Sequence, residues 1–338
     1  MIWIDNAKVI TTYLVVLVHV ANQLFYAPNS VPLGFDWWVG NIFSSGLRHC
    51  PCLFVMLSGY LLLNPEKSEP TSVFYKKRSS RILIPLIFWS FFYSVLTIVQ
   101  GKYSGQDVAI SSLLLNLLYG MPYYHMWFFY MIAGLYFFTP FLRRILPTLT
   151  KYELRNLTVV MFILAAITQL FNCLLEVPLP YFFVLFLFFI PYYFLGWYLG
   201  NIDSRLSIGK LILMLLAILS FTATGLAVTT TIYNMNMALY FYEPFSPNVI
   251  LLTMVWFFIL KKINIPTLPI NLLKNLSRHS MGIFIMHPFL ISVISFFGIK
   301  TFIFNPILTV PLIALAVFCL GALATQLISM IPVARRII

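Results

Sequence analysis

Charged side chains are scarce in this sequence. Of its 338 residues, only 9% are charged and 61% are hydrophobic. A soluble domain carries about 25% charged residues, because it must cover its surface against water. The low charge content therefore excludes an ordinary soluble domain, and most of the surface must face lipid.

Alternating polarity is also missing. A membrane-spanning β-barrel would show segments of about ten residues in which apolar and polar side chains alternate. The apolar runs here are continuous and much longer, as in Leu211–Val228 and Val310–Leu320. They predict an all-α, polytopic integral membrane protein.

Cysteine is rare, and its four positions do not form a metal-binding spacing. Cys50 and Cys52 are two residues apart, so on a helix they point to different sides; Cys173 and Cys319 stand alone. We interpret all four as small apolar side chains, and we predict no metal site.

Positive charge, by contrast, is in excess, with a formal net charge of +12. Basic residues that bind nucleic acid gather on one soluble face. Here they lie between apolar segments, as the positive-inside rule describes. We therefore expect no nucleic-acid partner.

The hydrophobic pattern predicts about ten membrane-spanning helices in a single membrane domain, residues 1–338, without a soluble domain. With the N-terminus in the cytoplasm, all lysines and arginines except Arg48, Lys102 and Lys300 fall on the cytoplasmic side. This bias predicts an even number of spans and both termini in the cytoplasm. The predicted spans are 9–27, 39–63, 82–99, 124–141, 157–175, 181–200, 210–229, 245–260, 280–297 and 306–330.

Several ionisable side chains fall inside these spans, where the bilayer makes them costly and therefore functional candidates. At 1.5 Å per residue, His19 lies ~16 Å above Lys8, near the middle of a ~30 Å core, and Arg48 ~22 Å above the inner end of its span. A lone membrane histidine can also serve only to hydrogen-bond a neighbouring helix. For His49, helix packing and a place on a water-filled cavity are equally open, and His287 also falls at membrane depth.

Five short motifs stand in order along the chain. They are Trp3-Ile4-Asp5-Asn6-Ala7-Lys8 with His19; Arg48 with Phe54-Val55-Met56-Leu57-Ser58-Gly59-Tyr60; Arg78-Ser79-Ser80-Arg81-Ile82-Leu83-Ile84-Pro85; His125-Met126-Trp127-Phe128-Phe129; and Ser277-Arg278-His279-Ser280-Met281-Gly282-Ile283 with His287. This ordered set resembles the membrane-bound acyltransferase family 3, in particular the inner-membrane O-acetyltransferases that modify enterobacterial common antigen and O-antigens.

Three positions depart from the pattern of that family. Lys8 stands where Arg is commoner, Cys52 occupies a usual Pro position, and Phe284 replaces the usual Tyr. The first change matters most, because lysine lacks the planar, bidentate fork of arginine that suits phosphate.

The resemblance implies an O-acyltransferase of the bacterial inner membrane, most simply an O-acetyltransferase. The donor would be cytoplasmic acetyl-CoA, and the acceptor a hydroxyl group of a surface polysaccharide or of its lipid-linked precursor, with no metal involved. Membrane lipid is the third expected partner, and the oligomeric state stays open, as does acetyl against succinyl.

The resemblance also implies roles for individual residues. Those expected in catalysis are His19, Arg48 and Lys8. Those expected on the phosphates of the donor are Lys8, Arg78 and Arg81. Those expected to contact substrate are Ser58, Tyr60, His125, Trp127 and His287.

Acyl transfer to a sugar hydroxyl needs a general base and a group that stabilises the developing oxyanion. His19 is the candidate base, because no carboxylate lies near it in sequence, and Arg48 is the candidate for the oxyanion. A transporter of lipid-linked glycans would also be polytopic and basic inside, but it needs no histidine base. An assembly subunit would need none of the intramembrane charges.

Overall fold

The computed structural model describes residues 1–25, 31–66, 69–176, 181–233 and 235–338, except for the side chains of residues 235 and 236. Across these residues the chain is helical and contains no strand, which confirms the predicted fold class. The helices are α1 Ile2–Phe25, α2 Phe35–Leu47, α3 Cys50–Leu62, α4 Thr71–Tyr103, α5 Ile110–Leu118, α6 Trp127–Ile145, α7 Lys151–Leu175, α8 Phe182–Gly200, α9 Ile208–Ile232, α10 Met235–Leu239, α11 Pro247–Lys262, α12 Ile270–Phe296 and α13 Pro306–Met330.

Eight helical segments of the described chain are long and apolar enough to cross a membrane. They correspond to eight of the ten predicted spans: α1, α4, α7, α8, α9, Met237–Lys262, α12 and α13. The fourth predicted span, 124–141, overlaps α6, which is 19 residues long, carries Arg143 and Arg144 in its last turn, and is not among these eight segments. The total of ten and the orientation of the termini stay predictions, and Lys67, which contributes to the charge bias, lies outside the described residues.

The second predicted span, 39–63, is two helices rather than one. The first, α2, ends at Leu47, and α3 begins at Cys50 with Pro51 in its first turn. Proline has no N–H, and its ring clashes with the carbonyl group four residues earlier, here that of Leu47. The prediction of one continuous helix was therefore wrong, and Arg48 lies at the break.

The tightest helix contact joins α3 and α8 through glycine. A Cβ atom on Gly196 would overlap the backbone carbonyl of Met56, and one on Gly59 would overlap that of Tyr193. Small residues allow membrane helices to approach to backbone contact in this way. A hydrogen bond of 2.8 Å between the hydroxyl groups of Tyr193 and Thr139 also ties α8 to α6.

Polar side chains near the start of α1 fix it to the later helices. Asn6 donates to the carbonyl oxygens of Ile263 at 3.0 Å and Ile265 at 2.7 Å, in the loop before α12. One residue earlier, Asp5 accepts a hydrogen bond of 2.6 Å from Ser277 on α12. The first motif of the chain is thereby held against the last.

The segment after α13, residues 331–338, returns to α4. It contains a short 3₁₀ turn, Ala334–Ile337, and the indole nitrogen of Trp89 donates to the carbonyl oxygen of Ile337 at 2.7 Å. This contact brings two arginines of the segment, Arg335 and Arg336, to the end of the bundle where α4 begins.

We predict that Gly196→Ala destabilises the protein by about 1–3 kcal/mol, because the added methyl group must force α8 away from α3. Gly209→Ala is the matched control: it lies in a helix, but its Cβ meets no atom within 4 Å. Thermal unfolding in detergent measures both. A Gly196→Ala protein as stable as the control would contradict the close contact.

Candidate active site

A cavity of about 1140 Å³ lies toward the end of the bundle where α1 ends. Its walls come from α1, α4, α6, α8 and α12, from the break between α2 and α3, from Gln169 of α7, and from the segments before α6 and α11. The polar and aromatic side chains that line it include His19, Asn22, Gln23, Arg48, Gln100, Tyr124, His125, Trp127, Tyr242 and Glu243.

Three histidines from three separate segments meet beside this cavity. The ring of His19 stacks on that of His287 with centroids 5.0 Å apart, and His287 is 5.3 Å from His125. The ring of Tyr124 covers another side of His19 at 4.9 Å. His19 is partly exposed to the cavity, whereas His287 and His125 are buried. The sequence suggested each histidine singly, and the structure brings them together.

Backbone carbonyls fix which ring nitrogen carries a proton in the two buried histidines. Nδ1 of His287 is 2.5 Å from the carbonyl oxygen of Phe284, and Nε2 of His125 is 3.2 Å from that of Ile285. A carbonyl only accepts, so these nitrogens donate, and the opposite nitrogen of each neutral ring is an acceptor. Neither acceptor has a hydrogen-bond partner among the described residues.

Arg48 points into the bundle. Its Nη2 donates to Oδ1 of Asn22 at 3.2 Å, and its guanidinium carbon lies 4.1 Å from the centre of the Tyr242 ring. Asn22 is one turn beyond His19 on α1. The cation is therefore held on the cavity wall near His19, while the membrane depths of the two residues stay predictions.

The support for Arg48 extends outward through a polar network. The hydroxyl of Tyr242 donates to Oδ1 of Asn41 at 2.7 Å, and Nδ2 of Asn41 donates to the carbonyl oxygen of Ala223 at 3.0 Å. Ser44 also donates to Asn22 at 3.1 Å. The groups that contact Arg48 are thus themselves fixed to α2 and α9.

Sequence reasoning missed Glu243, which lines the same cavity. It is far from His19 along the chain, and it directly follows Tyr242, on which Arg48 stacks. The available signal was its place immediately before an apolar span in a sequence with only nine acidic residues. Tyr124 and Asn22 were also missed. Their side chains are neutral, so they lack the high energetic cost of a charge in the membrane that singles out a functional candidate in the sequence.

The other predicted site residues lie nearer the start of α1 and do not line this cavity. Lys8 is close enough to Arg81 for electrostatic interaction. Ser58 is 3.3 Å from the hydroxyl of Tyr136, and Arg78 also interacts with that tyrosine.

The Tyr60 ring completes this second set and packs on Trp3 at 5.3 Å. The predicted residues therefore form two groups, which we name after the predicted orientation of the N-terminus: an outer group around the cavity, and an inner group near the start of α1, made up of Lys8, Ser58, Tyr60, Arg78 and Arg81.

His49 belongs to neither group. Its ring stacks on the indole of Trp256 with centroids 4.9 Å apart and an interplanar angle of 7°, and the side chain is buried away from the cavity lining. Of the two interpretations left open by the sequence, the structure favours helix packing. Across the described residues, no set of three or more His, Cys, Asp or Glu side chains is arranged to hold a metal ion.

The fold and the cavity define a polytopic membrane protein with a histidine and an arginine on one internal wall. Residues 1–326 match the acyltransferase domain of acyltransferase family 3, so the chain belongs to this family. The family supports a membrane acyltransferase activity. Comparison with curated proteins and with solved structures gives no match.

We predict that Arg48→Gln lowers the rate of acyl transfer by ~10²–10³-fold, the usual cost of removing one group that stabilises an oxyanion. Arg48→Lys should also be impaired, because lysine loses the planar contact with Tyr242 and the fork that reaches Asn22. Transfer by purified protein in proteoliposomes measures both changes.

Arg155→Gln is the control for this series. Arg155 also stacks on a tyrosine ring, 4.7 Å from the centre of Tyr152, but it is exposed and lies outside the cavity. Its variant should keep wild-type transfer. Full activity in Arg48→Gln would remove Arg48 from the reaction.

Proposed function

We propose that this protein is an O-acyltransferase, most simply an O-acetyltransferase. It would move an acyl group from acyl-CoA to a hydroxyl of a surface polysaccharide or of its lipid-linked precursor, in a bacterial inner membrane. One observation carries the proposal: His19 reaches the cavity beside the Arg48 cation, in a chain of an acyltransferase family.

His19 is the general base. It accepts the proton of the acceptor hydroxyl as that oxygen attacks the thioester carbonyl. When the tetrahedral intermediate collapses, the C–S bond breaks and the histidine returns its proton to the leaving thiolate. The rings of His287 and Tyr124 both pack against His19 and restrict its orientation on the cavity wall.

Arg48 stabilises the negative charge that develops on the carbonyl oxygen. A fixed cation in a site shielded from bulk water is most effective there, because it need not reorganise during the reaction. Contacts with Asn22 and Tyr242 supply that fixed position. Glu243, on the same wall, is available to hydrogen-bond sugar hydroxyls.

The inner group of residues would hold the donor. Arginine binds phosphate through charge-assisted, bidentate hydrogen bonds, and lysine acts as a point charge. Arg81 and Lys8 lie together and suit the phosphates of CoA, and Arg78 with Ser58 and Tyr60 would line the path of its acyl arm.

The acceptor would occupy the outer cavity. His125 and Trp127 line it and offer aromatic faces and a ring nitrogen to a sugar. His287 lies behind His19 and would position that residue rather than touch the acceptor. With both termini in the cytoplasm, the cavity faces the outer half of the membrane, where a lipid-linked glycan awaits modification.

We predict that His19→Ala lowers acyl transfer by ~10²–10⁴-fold, the usual contribution of general acid–base catalysis, while the protein inserts and folds normally. His49→Phe is the control, because it retains a ring against Trp256 outside the cavity. Transfer in proteoliposomes and thermal unfolding are measured together. Wild-type transfer by the His19→Ala protein would refute the mechanism.

The acyl group and the acceptor are tested in cells. Surface glycans from cells with the wild-type protein should carry an acetyl mass increment that is missing when the protein is absent or carries His19→Ala. A succinyl increment instead would show that the donor carries a succinyl group. Altered glycan abundance without any acyl difference would favour a transporter instead.

A further inference from the structure

A second cavity, of about 1010 Å³, lies at the opposite end of the bundle from His19. Three elements that are distant in sequence form it: the first half of α4, the first half of α12, and the end of α13 with the segment that follows it. Its charged and ionisable lining residues are Arg81, Arg278, His279, Arg335 and Arg336. We call it the basic pocket.

The charge of the basic pocket is unbalanced. It contains four arginines, and no aspartate or glutamate lines it. Among the described residues none of the four arginines has a carboxylate partner, since the ion pairs present join Lys77 to Glu69 and Lys261 to Asp203. Four like charges held in one place repel each other, so a polyanion that enters the pocket gains from all of them.

Neutral hydrogen-bonding groups accompany the arginines. Asn275, Gln326 and Ser329 line the same pocket. Its volume corresponds to sites for whole small molecules, which are roughly 300–1,000 Å³, rather than to a site for a single phosphate ion. The lining therefore suits a ligand that combines several phosphates with a polar, uncharged part.

The segment after α13 is held in place independently of any ligand. Trp89 on α4 donates to the carbonyl oxygen of Ile337, directly beyond Arg336. Arg278 is fixed from the other side, because its neighbour Ser277 donates to Asp5 of α1. The arginines therefore project from backbone that is already ordered, which lowers the entropy cost of binding.

The position of the basic pocket also fits a long ligand. Arg81 lies within electrostatic range of Lys8, and Lys8 is ~16 Å below His19 along α1 at 1.5 Å per residue. The pantetheine arm of CoA joins its phosphate to its sulfur through about twelve bonds, equivalent to four residues of extended chain or ~14 Å. A nucleotide at the pocket thus lies about one arm's length from the histidine.

We propose that the basic pocket binds the adenosine 3′,5′-bisphosphate end of the acyl donor, and that Arg278, Arg335 and Arg336 form this site together with Arg81. The assignment rests on the proposed function for its ligand, but it adds α12 and the segment after α13 to the donor site. Arginine-rich sites also bind the phosphates of anionic lipids, so the shared chemistry is phosphate recognition and the experiment separates the two sources.

The test measures binding rather than turnover. The full-length protein is placed in nanodiscs of neutral lipid, and adenosine 3′,5′-bisphosphate is titrated into wild type, the double variant Arg335→Gln/Arg336→Gln, and Arg278→Gln. The double variant should bind at least ~10-fold more weakly, since it removes two arginines that can form charge-assisted hydrogen bonds with phosphate. Affinity of the wild type should fall as salt rises.

Arg155→Gln is the control, because it removes one exposed arginine on α7 that lies outside the pocket; it should bind like the wild type. Unfolding temperatures of all four proteins establish that the variants are folded. In a parallel arm, nanodiscs that contain phosphatidylglycerol are used without nucleotide, and retention of that lipid after detergent extraction is measured.

The outcomes distinguish a failure of the proposed nucleotide site from a failure of the proposed acyl transfer. Unchanged nucleotide affinity in both pocket variants overturns the site, even if the wild type transfers acyl groups normally. If the pocket variants lose phosphatidylglycerol but keep the nucleotide affinity of the wild type, the nucleotide site is overturned in favour of a lipid site. Weaker nucleotide binding by the pocket variants supports the site, whether or not acyl transfer is detected. A wild-type protein that binds the nucleotide but does not transfer acyl groups would contradict the proposed function and leave the site intact.

Discussion

The placement of one cation constrains the architecture around the cavity. An arginine at membrane depth costs ~2.5–3.5 kcal/mol on insertion scales. The Tyr242 ring at 4.1 Å contributes ~0.5–2 kcal/mol and the hydrogen bond to Asn22 about 1.5–3 kcal/mol, so the two contacts offset that cost. Both contacts form at the break between α2 and α3, where α2 ends before Pro51 and Arg48 follows its last residue. The polar network on α2 and α9 then follows from the need to hold the two partners.

In the proposed function, the two cavities divide acyl transfer into two physical problems. The outer cavity is lined by the candidate base, His19, and by Arg48, and two buried histidines meet beside His19. The inner end contains exposed arginines, which suit phosphate and would be expensive at mid-membrane depth. The two cavities share no lining residue. The proposed donor, which would occupy both cavities, therefore needs a long neutral arm between its anionic part and its reactive part.

The sequence predicts much of this arrangement, and the misses have physical causes. The helical fold class follows from hydropathy, and the place of His19 and Arg48 on one cavity wall agrees with the nearby positions that rise per residue gives them. The break at Arg48 was missed because span prediction weighs apolar content and ignores the steric effect of Pro51. Glu243 joins the cavity through tertiary packing, which no local pattern contains.

The glycine contact between α3 and α8 has a mechanical consequence. Backbone touches backbone at Gly59 and Gly196, so neither helix can slide or rotate past the other without atomic overlap. The pair therefore behaves as a fixed frame that runs beside the reaction path. Any widening along the proposed path to His19 must therefore come from other helices. Among them, α12 has an internal proline, Pro288, directly after His287. A proline lacks one backbone hydrogen bond and bends a helix where it stands, so α12 can bend beside the ring that packs on His19.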